Sequence, residues 1–141
     1  MDAQTFRTRI GGERAESLVS AVRTSLGDEL RSVVYFTPAE FDVLYVRRDL
    51  AADPATDRER RAPLVDIETV GFAEAPVRSA VSAGSEGSSI GEYGFTVRFH
   101  DDGFVVRVLS GDAGVLFTTD SMDVNAFTDA ATAAGQLLAE R

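Results

Sequence analysis

The chain has 141 residues, a formal net charge of −9, 44% hydrophobic residues and no cysteine. That length predicts one domain with a sizeable core, and the missing cysteines exclude disulfides, thiolate catalysis and cysteine-bound zinc or iron–sulfur centres. All 14 basic residues are arginine against 23 acidic ones; with only Arg58, Arg60 and Arg61 as a basic cluster for phosphate neutralisation, nucleic acid is not expected as a partner.

The opening stretch "MDAQTFRTRI" has no apolar h-region, and no apolar run approaches the ~20 residues of a membrane span. A cytoplasmic location with no membrane partner is the expectation. Residues 13–26 have helical period: Ala15, Leu18, Val19, Val22 and Leu26 share one face, and Gly27 is a helix stop. Next, "RSVVYFTPAEFDVLYVRRD" reads as a hairpin, with strands near 32–37 and 41–48 around a turn at Pro38-Ala39-Glu40. A helix beginning at Pro38 is the alternative, disfavoured by the aromatic and β-branched residues of "FDVLYV". Both faces of this hairpin are apolar, which predicts a sheet covered on both sides. The "RRD" at its end, Arg47 to Asp49, reads as a solvated strand end.

Residues 49–74 are charged and helix-prone, forming one or two helices with Pro63 as a break or restart. Leu64, Ile67 and Gly71 fall on one side, with Val65, Glu68 and Phe72 beside them. The Ser/Gly-rich segment at about 79–92, "SAVSAGSEGSSIGE", reads as a flexible loop. Residues 93–119 return to strand. With Asp102-Gly103 in a type I′ turn, Val97 faces Val108, Phe99 faces Val106, His100 faces Val105 and Arg98 faces Arg107. Val97, Phe99, Phe104, Val106 and Val108 then form the core face, which Val115 and Phe117 continue after a second turn at 111–114. Asp123 caps a last helix that turns Val124, Phe127, Ala131, Ala134 and Leu138 inward.

These elements define an α+β fold: residues 1–141 as a single domain, in the order α-β-β-α-β-β-β-α. Its sheet has five antiparallel strands, a β-hairpin plus a three-stranded meander, flanked by helices.

The lone histidine opens "HDDG". Neighbouring strand residues point to opposite faces, so His100 and Asp101 do not converge on one ion, and Asp102 serves the turn. The segment reads as a hairpin tip with an exposed imidazole, and no metal or cofactor is expected. No G-x-S-x-G, P-loop or G-x-G-x-x-G pattern is present. A non-enzymatic protein is therefore expected. Arg98 and Arg107 are the candidate site residues. As like charges side by side they repel, and the offset comes either from a carboxylate on a helix packed over the sheet or from an anionic group docking there.

The lysine-free, acidic composition points to a salt-in cytoplasm, where high salt screens self-repulsion; arginine-biased codon usage in a high-GC mesophile is the alternative. "LRSVVYFTPAEFDVLYVRRDL" and "FTVRFHDDGFVVRVLSGDAGVLFTTD" resemble small uncharacterised haloarchaeal acidic proteins. The order of elements resembles the roadblock/dynein light-chain and profilin-like α/β/α sandwich. That resemblance implies terminal helices on one side of the sheet and the middle helix on the other. Surplus apolar faces and the absence of a catalytic grouping predict an adaptor or regulatory domain acting by protein–protein contact, as a homodimer or with an unknown protein partner. The alternative is a PAS/GAF-like sensor of an anionic metabolite near Arg98 and Arg107, under the 79–92 loop.

Overall fold

In the computed structural model, which describes residues 5–83 and 90–140, the 13–26 apolar stripe winds into α1 (Gly12–Leu26), and Ala15, Leu18, Val22 and Leu26 are buried. Gly27 takes a positive φ (59°) and donates back to the Arg23 carbonyl, ending the helix. The hairpin follows as β1 (Leu30–Phe36) and β2 (Phe41–Val46). Two consecutive helices come next, α2 (Pro54–Glu68) and α3 (Val70–Ala83). The meander is β3 (Thr96–His100), β4 (Gly103–Ser110) and β5 (Ala113–Thr119), and α4 (Val124–Ala139) closes the chain.

The strands form one antiparallel sheet in the order β2-β1-β5-β4-β3, with β1 pairing β5 to join hairpin and meander. Helices α1 and α4 pack together on one face, burying Leu18, Val22, Val33, Val106, Phe117, Phe127 and Leu138 in the main core. On the other face a smaller cluster of Val34, Phe36, Val65, Val105 and Leu116 lies under α2 and α3. The alternation along β1 explains why that strand is apolar throughout: Val33 and Tyr35 belong to one layer, Val34 and Phe36 to the other.

Asp42 interrupts β2 for a specific reason. Its buried carboxylate accepts hydrogen bonds from the Arg7 and Thr8 amides (2.9 and 2.8 Å) and from the Thr8 hydroxyl (2.6 Å), tying the N-terminal segment to the sheet. Nearby, Arg9 adopts a left-handed backbone (φ 68°).

Several expectations are corrected. Pro63 neither breaks nor restarts a helix; it lies inside α2, and the break falls at Thr69, whose amide and hydroxyl both bond the Val65 carbonyl. Residues 79–83 are helical, as the end of α3, while 84–89 of the expected loop lie outside the described residues. In the meander the pairing is shifted by two residues: His100 faces Gly103, Phe99 faces Phe104 and Val97 faces Val106. The turn is therefore Asp101-Asp102, and neither residue has a positive φ. Gly103 sits in β4, where a Cβ would stand 2.4 Å from the Thr119 carbonyl oxygen. The glycine provides room for a neighbouring strand, not left-handed geometry. A shift of two preserves the pleat, so every side chain keeps its assigned face. Phe99, however, is 73% exposed on the outermost strand, where only Phe104 stacks on it (centroids 5.4 Å apart). The second turn is Gly111-Asp112, with Gly111 at φ 60°. Val124 is 56% exposed, and Ala130 joins the inward face of α4.

Candidate functional site

The last turn of α2, the first turns of α3 and the outer strands of the meander converge on a buried ionic cluster. Arg107 on β4 is 2% exposed and Glu68 at the end of α2 is 1% exposed. A charge at that depth is tolerated only with partners in place. Arg107 Nη1 lies 3.4 Å from Glu68 Oε1 and donates to the Glu68 carbonyl. Its Nη2 donates to Glu74 Oε1 (2.9 Å), Thr96 Oγ1 (3.0 Å) and Tyr93 Oη (3.4 Å). Arg98 Nε reaches the other Glu68 oxygen at 2.5 Å. Burial works against the charge on Arg107, but the hydrogen bonds with Tyr93 and Glu74 outweigh it and raise its pKa above the ordinary guanidinium value.

Arg98 and Arg107 thus share a face of the sheet, but they are diagonal neighbours, facing Val105 and Thr96 respectively. One carboxylate, Glu68, bridges them. Gly71 permits the arrangement: a Cβ there would stand 2.5 Å from the Arg107 guanidinium carbon and 2.8 Å from a Leu109 methyl group. At the rim, Arg78 pairs with Glu74 (3.1 Å) and covers the Tyr93 ring at 4.6 Å. The offset that the two arginines require comes from carboxylates of the covering helices, Glu68 and Glu74.

His100 lies where the sequence places it, exposed at the end of β3 beside the turn. Among the described residues no three histidine or acidic side chains converge on a metal position. The "RRD" strand end is more than solvated. Arg47 donates to Asp49 Oδ1 and Asp120 Oδ2, both at 2.6 Å, and to the Asp28 carbonyl at 2.8 Å, while Arg31 also reaches Asp120 at 2.9 Å. The hydrogen bonds from Arg47, and then from Arg31, hold the Asp120 carboxyl below its usual range.

The outer surface of α3 exposes an apolar stripe. Val70, Val77 and Val81 are 50, 65 and 51% exposed and recur at helical spacing on one face, with Ile67 of α2 exposed just before them. Toward the sheet, α3 sends Phe72 against Phe36 (centroids 5.3 Å apart) and little else that is apolar. Glu74 and Arg78, one turn apart and paired with each other, lie along one side of the stripe. Beyond the meander, β3 is an edge strand.

Fold and site together define a single-domain α+β protein with a two-sided antiparallel sheet, a buried Arg–Glu cluster beneath its middle helices and an open helical face. The chain belongs to the family described as a domain of unknown function, DUF7522, whose model matches residues 16–139. No curated protein matches it.

Glu68, Glu74 and Tyr93 of the cluster escape assignment from sequence. For Glu68 a signal was present: it is three residues after Val65 and four before Phe72, an acid in phase with the buried side of the helix. Glu74 shares its helical face with the exposed valines and carried no such mark.

Proposed function

We propose that this domain is a non-enzymatic adaptor or regulatory module that acts through protein–protein contacts and assembles as a homodimer across α3, in a salt-rich cytoplasm. The carrying observation is the exposed stripe of Val70, Val77 and Val81 on a helix whose inward side is held to the sheet mainly by Phe72 and an ionic cluster. The stripe suits a second copy of itself. Val77 lies within it, so two α3 helices packed antiparallel about that residue bring Val77 to Val77. Each copy carries −9, so the dimer tightens as salt screens the repulsion. The placing of α1 and α4 on one side of the sheet and α2 and α3 on the other supports the likeness to roadblock-type sandwiches.

Light scattering across a KCl series tests this reading. The expected mass is twice the 15.1 kDa of the chain in molar KCl, falling toward one copy as salt is removed. Val77→Asp should remain folded and monomeric at every salt concentration. A wild-type chain that stays monomeric at high micromolar concentration in molar KCl refutes the proposal.

A further inference from the structure

A second basic feature lies away from the buried cluster. A cleft of about 480 Å³ opens between the middle of α2 and the end of the sheet at the Asp101-Asp102 turn. That volume is within the usual range for small-molecule sites. In a chain of net charge −9, three arginines line it: Arg31 from β1, which is paired with Asp120, and Arg60 and Arg61 from α2, with His100 at the mouth. Arg61 is buried to 12% side-chain exposure; its Nη1 reaches the Asp57 carbonyl (3.0 Å) and carboxylate (3.8 Å), and its Nε is buried with no partner. Arg60 is exposed and forms no ion pair among the described residues. Burial lowers the Arg61 guanidinium, and the charges of Arg60 and Arg31 push the same way, against Asp57. Leu64, one turn further along α2, and Val105 of β4 give an apolar side, the Ser32–Thr118 hydroxyl pair (2.6 Å) lies on the sheet, and the two aspartates of the turn stand at the rim.

We propose that this cleft binds a small organic phosphate, with the phosphate at Arg60 and Arg61, the carbon skeleton along Leu64 and Val105, and a hydroxyl or amino donor at Asp101 or Asp102. Guanidinium forks match phosphate oxygens in pairs, and clustered like charges with a spare buried donor are relieved by a dianion. The aspartates at the rim select a ligand that carries donors over a bare anion. The site shares no residue with the α3 surface and does not depend on dimerisation.

The test is calorimetric titration of the full chain with adenosine 5′-monophosphate, adenosine and inorganic phosphate, at the lowest KCl concentration that keeps it folded. The monophosphate is expected to saturate one site per chain, with adenosine and inorganic phosphate each weaker by about tenfold or more. Arg60→Glu is expected to weaken the monophosphate by about tenfold or more, whereas Arg23→Glu, the same charge change on α1 across the sheet, alters it by about twofold or less. Arg60→Gln gives an intermediate loss, and Val77→Asp binds as the wild type does. Absence of saturable binding by the monophosphate overturns the proposal. Equal affinity for adenosine or for inorganic phosphate, or equal losses in Arg60→Glu and Arg23→Glu, also overturns it.

Discussion

At the scale of single residues, the decisive group is Arg107. A fully buried guanidinium is costly, and this one is retained because Glu68, Glu74, Thr96 and Tyr93 saturate its terminal nitrogens. Removing the bridging carboxylate is therefore expected to be severe. Glu68→Ala leaves the two diagonal arginines without their shared carboxylate beside a buried void, and chemical denaturation should show a loss of about 3–5 kcal/mol. Gly71→Ala tests the same contact sterically. The added methyl group meets the guanidinium of Arg107, which its partners hold in place, and Leu109; a loss of about 1–3 kcal/mol is expected. Gly12→Ala, which meets nothing within 4 Å, serves as its control in the same assay. Equal stability of the two alanine variants contradicts a tightly packed cluster.

At the scale of elements, the strand and helix patterns were readable because period and burial agree. β1 alternates between two cores, α1 presents one stripe, and Asp123 caps α4 by accepting from the Ala126 amide. Misreadings arose where one residue type serves two purposes. Gly103 looked like a turn residue and is a spacer against Thr119, so the turn slid back by two while each face was preserved. Pro63 looked like a helix end and lies within α2, the break falling instead at Thr69, whose side chain caps the Val65 carbonyl. Phe99 looked like core and is an edge residue, since strand order, which sequence does not display, decides which strands are covered. The ionic cluster is half legible: like charges on one face demand a carboxylate, but the accepting residue, Glu68, lies thirty or more positions away in sequence. The ends of β1, β2 and β5 are joined by Asp120, gripped by Arg31 and Arg47. Its carboxyl is held below the usual range, so its contribution is complete above the unfolded value of about 3.9 and is lost as pH falls through the lower folded value. For a pair this exposed, solvent screening limits the effect to about 1 kcal/mol. Asp120→Asn should lower stability by that amount at pH 7 and flatten the decline below pH 4, as measured by thermal unfolding against pH. An unchanged acid limb would show that the pair is not coupled to folding.

At the scale of the whole molecule, the two sides of the sheet differ in kind. The α1/α4 side holds the large apolar core, and the α2/α3 side combines a small apolar cluster with buried charge and leaves a valine face outward. An apolar helical face on a strongly acidic chain is consistent with a docking surface whose strength salt controls. None of the chain's helices among the described residues is long and apolar enough to cross a membrane. Amide hydrogen exchange measured against protein concentration in molar KCl locates the contact directly. Pairing through α3 predicts that protection across residues 70–81 rises with concentration, while α1 and β5 exchange at constant rates. Exchange in α3 that is independent of concentration from low to high micromolar, or added protection confined to α1 and α4, would contradict it.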